Sequence, residues 1–577
     1  MSRISPQARR RRNILLRVVP VAILAIVAFV TGVVIAGGSS ERDAAERFAT
    51  SWEQQDFAAM YAELSPAAAA EVSEQDFTRA YARAQRTASL AEVNIGEARG
   101  PLDQDGEEVV GIKLEITTDS FGTVNGELAI PVSDEGVEWR SELVFPGLEP
   151  GEELERQTRA PERAPILAKD RSPLAEGPAE GRTTVGAGGI VTGEIGAAPQ
   201  QRAQQMARQG FPEGTLAGNS GLELAFDGVL AGTPGGTLFA AGDAGRRELA
   251  SGKPAPGKPL RTTLDPGLQQ AAADALGDQF GGVAVLDARN GEIRALSGIA
   301  FSAPQPPGST FKIITTVGGL AEGLTEPSRE YPVVSSADAG GREIDNAHEE
   351  PCGGNLVVSF AKSCNTVFAP LGVELGAEKL LEYTEAFGFN APPAIYNDAA
   401  LAATQPPAST IPDPIGDPVE VGVSAIGQGK VLATPLQMAS VAQTIAADGV
   451  RSPTPLVKGA GLGPEMEPVQ VTTPKIAEQV GEMMVEVVSN GTGSAASLPN
   501  AAVAGKTGTA ELGPKPGQQF DPSNPDAEPE LEVDAWFTAY APAKNPKLAI
   551  AVMIVNADGD GGVIAAPIAR QVLAAGL

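Results

Sequence analysis

Three short motifs place hydroxyl and amine side chains in the C-terminal half of the chain. They read Ser-Thr-Phe-Lys at residues 309–312, Ser-Cys-Asn at residues 363–365 and Lys-Thr-Gly-Thr at residues 506–509. A serine hydroxyl is a poor nucleophile until a neighbouring base accepts its proton, and a lysine amine can be that base. Each motif alone arises readily by chance, so their order and surroundings carry the prediction of a nucleophilic serine site.

The first motif is predicted to start a helix. Pro306, Pro307 and Gly308 favour a turn, and the run that follows is apolar. Residues three apart share a helical face, so the Lys312 amine is predicted to lie beside the Ser309 hydroxyl.

Lysine is the best base that this composition offers. The chain contains a single histidine, His348, so a Ser-His-Asp triad would have to use it. Burial would disfavour the charged form of Lys312, and the nearby positive charge of Lys506 would lower its pKa further. His348 is expected to be a structural or surface residue, since a serine–lysine pair needs no imidazole.

The third motif is predicted to be an edge strand that binds substrate. Gly508 leaves room for an extended substrate backbone to pair with the strand. Lys506 and the hydroxyl of Thr507 or Thr509 offer hydrogen-bond donors to a carboxylate. The alternative for Ser309 taken alone is a helix N-cap residue, and for Lys506 taken alone a solvated surface charge.

The composition excludes several classes of protein and site. The 577 residues include 43 Lys and Arg against 72 Asp and Glu, a net charge of −29, so no nucleic-acid partner is expected. Hydrophobic residues make up 42% of the chain, which is enough for ordinary buried cores. One histidine and two cysteines exclude multi-histidine zinc sites and clusters held by four thiolates, and we expect no metal and no cofactor.

The N-terminus has the pattern of a membrane anchor. Residues 1–17 are basic, and residues 18–36 form an apolar run without a charge. A helix of about 19 residues is roughly 28 Å long, close to the thickness of the hydrocarbon layer. The positive-inside rule places residues 1–17 in the cytoplasm and everything after the span outside the cell membrane. A cleaved signal peptide and a buried core helix are the alternatives.

The remaining chain divides into three segments by its periodicity. Residues 41–150 carry two helical patterns followed by alternating strands, which predicts a small α+β domain. Residues 151–257 are rich in Gly, Pro, Ala and Arg, and an ordered irregular domain is favoured over a long linker. Residues 258–577 begin and end with hairpins and have helical material between them, the pattern of an α+β layered domain.

One of the two cysteines lies in the second motif, and the other precedes it. Cys352 and Cys364 lie on the predicted oxidising side of the membrane and close a loop beside Ser363. A disulfide would make that loop rigid, and it is favoured over the alternative of two buried thiols.

With these motifs in this order, the chain resembles the class B, monofunctional penicillin-binding proteins. The resemblance covers residues 258–577 and includes a further stretch, Gly-Gln-Gly at residues 427–429 followed by residues 434–439. Residues 151–257 are similar to the family's pedestal or dimerisation domain, and residues 41–150 to the NTF2-like domain of the methicillin-resistance type. The resemblance implies a multidomain α+β fold, a penicillin-recognising serine transpeptidase domain with an antiparallel sheet flanked by helices, on an elongated pedestal.

The resemblance also implies a role for each motif residue. Ser309 would be the acylated nucleophile and Lys312 its general base. Ser363 would relay a proton to the leaving group, Asn365 would hold the substrate amide, and Lys506 would polarise the relay. Thr507, Gly508 and Thr509 would bind the substrate and its carboxylate, and the backbone N–H groups of Ser309 and Thr509 would form the oxyanion hole.

The implied function is a peptidoglycan DD-transpeptidase that cross-links stem peptides ending in D-Ala-D-Ala and is acylated by β-lactam antibiotics. The implied partner is a membrane glycan polymerase of the SEDS type. A DD-carboxypeptidase or β-lactamase would use the same acyl-enzyme, but no carboxylate can be assigned to a deacylating water. A non-catalytic penicillin-binding scaffold is the other alternative, and the three intact motifs argue against it.

Overall fold

The structure is a computed structural model that describes residues 40–104, 106–514 and 531–577. The predicted cytoplasmic tail and membrane span, residues 1–17 and 18–36, lie outside these residues. Within the described ranges, no helix combines the length and the apolar character needed to cross a membrane.

The helices are given in chain order. They are α1 Ser40–Glu53, α2 Phe57–Ala62, α3 Pro66–Glu71, α4 Glu74–Ala88, α5 Gly189–Thr192, α6 Gln200–Arg208, α7 Gly221–Ala225, α8 Asp227–Ala231, α9 Pro266–Leu276, α10 Lys312–Ala321, α11 Leu356–Ala361, α12 Asn365–Leu375, α13 Ala377–Ala386, α14 Asp398–Thr404, α15 Pro418–Ala425, α16 Pro435–Ala446, α17 Pro474–Ser489 and α18 Ala565–Gly576. Short 3₁₀ turns include Ser141–Val144, Gly308–Phe311 and Ala347–Glu349.

The strands follow in the same order. They are β1 Leu90–Gln104, β2 Glu107–Thr118, β3 Gly122–Ser133, β4 Gly136–Val137, β5 Glu153–Arg159, β6 Ile166–Leu167, β7 Pro173–Glu176, β8 Thr183–Thr184, β9 Ile195–Ala197, β10 Leu216–Gly218, β11 Gly235–Gly242, β12 Gly245–Gly252, β13 Leu260–Thr262, β14 Gly281–Asp287, β15 Ile293–Gly298, β16 Glu330–Val334, β17 Ser336–Asp338, β18 Glu343–Asp345, β19 Cys352–Asn355, β20 Val450–Arg451, β21 Val457–Lys458, β22 Val469–Gln470, β23 Ala504–Pro514, β24 Leu531–Ala541 and β25 Leu548–Ile554.

The elements form two compact units with interleaved sequences. Unit 1 takes in the described residues up to Ala160 together with Gln204–Pro212 and Pro234–Pro254. Unit 2 comprises Pro161–Ala203, Glu213–Thr233 and Ala255–Leu577. The segment predicted as one domain, residues 151–257, therefore contributes residues to both units.

Unit 1 packs α1 to α4 on an antiparallel sheet of order β1-β2-β3-β4. The Ser73 hydroxyl accepts a hydrogen bond from the Asp76 N–H, so this residue caps α4 as its type and position predict. The aromatic side chains of Phe48, Trp52, Phe77 and Tyr81 are fully buried in the core. A second sheet of order β12-β11-β5 belongs to the same unit.

Unit 2 is built around an antiparallel sheet of order β15-β14-β25-β24-β23. The two hairpins predicted at the ends of residues 258–577 are adjacent in this sheet, because β14 pairs with β25. Along β25, side chains alternate between two buried clusters, one holding Leu548, Ile550, Val552 and Ile554 and the other Ala549, Ala551 and Met553. Helices α9 and α18 cover one face, and α10 and α16 cover the other. Burial on both faces explains why β25 is apolar throughout.

The part of unit 2 that precedes β13 contains a buried ionic cluster. Arg163 pairs with Glu223 at 2.6 Å and with Asp227 at 2.9 Å, and all three side chains are almost fully buried. Arg182 and Arg202 complete the cluster on the same two carboxylates. Removing one partner of a buried ion pair is strongly destabilising, so the cluster holds helices α7 and α8 to the segment that carries Arg163.

Candidate active site

Ser309 lies in the 3₁₀ turn Gly308–Phe311, which leads directly into α10. The Gly308 N–H donates to the Gly427 carbonyl at 2.9 Å. A Cβ at Gly308 would lie 2.7 Å from the Thr509 carbonyl oxygen, so glycine allows the turn to approach β23. The predicted turn before Ser309 therefore also sets the distance between the first and third motifs.

The Lys312 side chain is completely buried and reaches the second motif. Its amine donates to the Ser363 carbonyl at 2.7 Å, to the Asn365 side-chain oxygen at 2.7 Å and to the Ser363 hydroxyl at 3.3 Å. Among the described residues, the Ser309 hydroxyl has no hydrogen-bond partner, so a direct bond from Ser309 to Lys312 stays a prediction. The observed bonds join Lys312 to residues more than fifty positions along the chain.

Lys506 also contacts Ser363. It lies on β23, is completely buried, and donates to the Ser363 hydroxyl at 2.8 Å and to the Thr507 carbonyl at 3.2 Å. Ser363 has a positive φ of 64°, an uncommon conformation for a residue with a side chain. Its hydroxyl oxygen consequently lies within hydrogen-bonding distance of both amines.

Burial changes the acidity of both lysines. Desolvation lowers the pKa of Lys312 well below its ordinary value, and the charge of Lys506 lowers it further. Burial lowers the pKa of Lys506 to about 7. The lowered pKa favours the neutral form of Lys312, which can accept a proton.

The third motif is held by neighbours on both sides. The hydroxyl oxygens of Thr507 and Thr492 are 2.6 Å apart. A Cβ on Gly508 would lie 2.7 Å from the Pro307 carbonyl oxygen and 3.0 Å from the Trp536 Cβ. Besides the room that it was predicted to leave for substrate, Gly508 is thus required for packing against the turn that carries Ser309.

Several contacts of this site involve residues that the sequence did not single out. Thr492 precedes β23 by a loop, and Asp560 follows β25 in a loop rich in glycine and aspartate. The Thr509 hydroxyl donates to Asp560 at 3.3 Å, and the Gln428 side-chain amide donates to the Thr509 carbonyl at 3.4 Å. Gln428 was noted within a family motif, whereas Thr492 and Asp560 carry no local pattern that distinguishes them from ordinary turn residues.

A disulfide joins the second motif to the preceding strand β19. Cys352 and Cys364 form a disulfide with their Cα atoms 5.4 Å apart. Because Cys364 directly follows Ser363, the bridge restrains the end of the segment that presents the Ser363 hydroxyl.

Comparison with known proteins agrees with this geometry. The penicillin binding protein transpeptidase domain matches residues 281–574, an NTF2-like N-terminal transpeptidase domain matches residues 40–152, and a penicillin-binding protein dimerisation domain matches residues 185–262. The chain is 34% identical over 427 residues to the peptidoglycan D,D-transpeptidase PbpA of Mycolicibacterium smegmatis, covering 62% of this chain and 80% of that one. This chain is a class B penicillin-binding protein.

Other relatives extend the comparison. This penicillin-binding protein is 30% identical over 413 residues to the peptidoglycan D,D-transpeptidase MrdA of Haemophilus influenzae, which covers 62% of each chain. It is also similar to the ceftriaxone acyl-enzyme complex of penicillin-binding protein A from M. tuberculosis, with a TM-score of 0.56 and 27% identity over 72% of this chain and 98% of that one. The resemblance inferred from the motifs, including the NTF2-like domain, is confirmed.

Proposed function

We propose that this penicillin-binding protein is a serine D-Ala-D-Ala transpeptidase that cross-links peptidoglycan stem peptides and is acylated by β-lactams. The observation that carries the proposal is the Ser363 hydroxyl placed between the buried amines of Lys312 and Lys506. Relatives named peptidoglycan D,D-transpeptidase support it, as does the match of the transpeptidase domain to residues 281–574, which contain all three motifs.

Acylation follows from this geometry. Ser309 attacks the carbonyl carbon of the penultimate D-Ala, and neutral Lys312 accepts the hydroxyl proton. The amide C–N bond breaks as Ser363, which lies 2.8 Å from the Lys506 amine, passes its proton to the departing D-Ala nitrogen. Ser363 takes a proton back from the Lys312 ammonium, whose nitrogen lies 3.3 Å from its hydroxyl, so Lys312 is neutral again. The acyl group is now an ester of Ser309, and attack by an amine of a second stem peptide forms the cross-link and releases Ser309.

Binding groups position the peptide during these steps. The N–H groups of Ser309 and Thr509 are assigned to the oxyanion, where each such donor typically contributes about 3–4 kcal/mol. Asn365 donates its side-chain N–H₂ to the Asp345 carbonyl at 2.9 Å while its oxygen accepts from Lys312, so its orientation is fixed. Thr507 and Thr509 are assigned to the terminal carboxylate of the substrate.

The location and the partner belong to the same proposal. Residues 18–36 would anchor the chain by a single pass, with the catalytic domain outside the cell membrane. The uncharged run and the preceding basic residues support this orientation. A membrane glycan polymerase of the SEDS type would supply the uncross-linked glycan strands.

The proposal is tested with fluorescent penicillin and two matched serine variants. The wild-type protein and Ser302→Ala should form a covalent fluorescent adduct, whereas Ser309→Ala should form none while unfolding at the same temperature. Ser302 is the control because it is an exposed serine seven positions before Ser309. Labelling that survives in Ser309→Ala would exclude Ser309 as the nucleophile.

The acceptor of the acyl group is tested separately. Wild-type protein supplied with a glycan polymerase and lipid-linked precursor should produce dimeric muropeptides. Release of D-Ala without dimers would instead indicate a carboxypeptidase, and rapid loss of the penicillin label would indicate a β-lactamase.

A further inference from the structure

The loop between β25 and α18 holds a carboxylate against the third motif. Its Gly561 packs so closely on β23 and β24 that a Cβ there would overlap the carbonyl oxygens of Trp536 and Gly508. The Asp560 carbonyl accepts hydrogen bonds at 2.9 Å from the N–H groups of Val563 and Ile564. The backbone on both sides of Asp560 is therefore fixed relative to the strand.

This arrangement occupies the hydroxyl of Thr509. That hydroxyl accepts a hydrogen bond from the Gly561 N–H at 3.4 Å and donates to Asp560 Oδ1 at 3.3 Å. A hydroxyl group has one proton to donate. Thr509 cannot donate that proton to a substrate carboxylate until it leaves Asp560.

The second oxygen of the same carboxylate faces His348. The Nε2 atom of His348 lies 3.3 Å from Asp560 Oδ2, and the two side chains are 71% and 49% exposed. An N–H at Nε2, present in one neutral tautomer and in the cation, would donate to that oxygen. His348 would then keep Asp560 hydrogen-bonded after Thr509 has turned away.

We propose that Asp560 is a specificity-determining residue that competes with the carboxylate of the substrate or β-lactam for the Thr509 hydroxyl, and that His348 weakens this competition. The inference rests on the proposed function, because it takes Thr509 as part of the carboxylate site.

Electrostatic repulsion between the two carboxylates strengthens this competition. A substrate carboxylate at Thr509 would lie beside the Asp560 carboxylate, and like charges at such distances repel. Lys506 gives limited compensation, because burial lowers its pKa to about 7 and its amine is already bonded to Ser363. Asp560→Asn therefore removes the repulsive charge and leaves the Thr509 hydroxyl only a neutral amide oxygen, a weaker acceptor than a carboxylate.

The experiment compares benzylpenicillin with its methyl ester, which lacks the carboxylate. Acylation is measured by competition with fluorescent penicillin. Asp560→Asn should raise the second-order acylation rate of the acid relative to that of the ester about fivefold, with the change in KI rather than in the rate of the chemical step. His348→Ala, which leaves no side-chain donor, should lower the same ratio about twofold, and should leave it unchanged when Asp560→Asn is also present.

Glu349→Gln is the matched control because it removes an exposed carboxylate next to His348, and its acid-to-ester ratio should equal that of wild type. An unchanged or lowered ratio in Asp560→Asn would overturn the proposal, as would additive effects of the two substitutions. In either case Ser309 would still be acylated, so the outcome is distinct from a failure of the proposed function, in which Ser309→Ala retains the label.

Discussion

At the scale of single residues, the site depends on two lysines whose side chains are buried away from solvent. Both Lys312 and Lys506 are completely buried, and their hydrogen bonds go to carbonyl, amide and hydroxyl oxygens rather than to carboxylates. Without a negative partner, burial favours the neutral amine. A Ser–Lys pair can then do what histidine does in a Ser-His-Asp triad, and the three motifs in their order were sufficient to predict this chemistry.

The pKa of Lys506 predicts a pH dependence. Because that pKa is lowered to about 7, the amine is charged below this pH and neutral above it. If the charge polarises Ser363, the acylation rate by a β-lactam should fall as the pH rises through about 7. Lys506→Arg, whose guanidinium remains charged, should react more slowly but lose this alkaline decline.

The control for this profile is Lys362→Arg, a substitution at an exposed lysine next to Ser363. It should retain the wild-type decline, measured as the second-order acylation rate between pH 5 and 10. A decline that persists unchanged in Lys506→Arg would show that another group controls it.

At the scale of elements, the site lies where a helix start, a cross-linked loop and an edge strand converge. The helix start before α10 and the strand β23 follow from local patterns, namely a Pro-Pro-Gly turn and the Lys-Thr-Gly-Thr stretch. The convergence does not, because Lys312 meets Ser363 and Asn365 through bonds that span 51 and 53 positions. Ser363 also has a left-handed backbone conformation, and no local sequence pattern predicts it.

The disulfide should stabilise this element. Cys352 and Cys364 are 12 positions apart, and a cross-link that closes a loop of this size contributes about 3 kcal/mol in the chain-entropy account. Replacing both cysteines by alanine should lower the free energy of unfolding by about that amount and slow acylation, since Ser363 is adjacent to the bridge.

Urea denaturation and the rate of fluorescent penicillin labelling would measure the two effects. Reductant should reproduce both changes in the wild-type protein and have no effect on the double alanine variant. An unchanged free energy of unfolding in the alanine variant would show that the disulfide does not stabilise the folded protein.

At the scale of the whole molecule, the two units do not follow the order of the sequence. Unit 1 includes Pro234–Pro254, about eighty residues after the end of the matched NTF2-like segment, residues 40–152. Within it, Leu238 of β11 is fully buried in the same cluster as Phe48 and Ile112. A domain boundary near residue 150 therefore leaves out side chains that complete the core of unit 1.

A buried leucine remote in sequence tests this organisation. Leu238→Ala should destabilise unit 1 by about 2–5 kcal/mol, the usual cost of such a cavity, and speed hydrogen exchange of the amides of β2. Leu102→Ala is the control, because Leu102 is 62% exposed on β1 of the same unit. Equal exchange in the two variants would contradict a role for β11 in this core.

The sequence by itself determined the local chemistry and the family of this protein. Residue types and short spacings define Ser309 with Lys312, the second motif and the Lys-Thr-Gly-Thr strand, because helix and strand periodicity act over a few residues. Only the tertiary structure decided that Lys312 binds the second motif, that Thr492 and Asp560 reach the third, and that unit 1 is discontinuous. Those contacts join residues far apart in the chain, and they form only where packing of the whole fold repays the entropy of closing the loops between them.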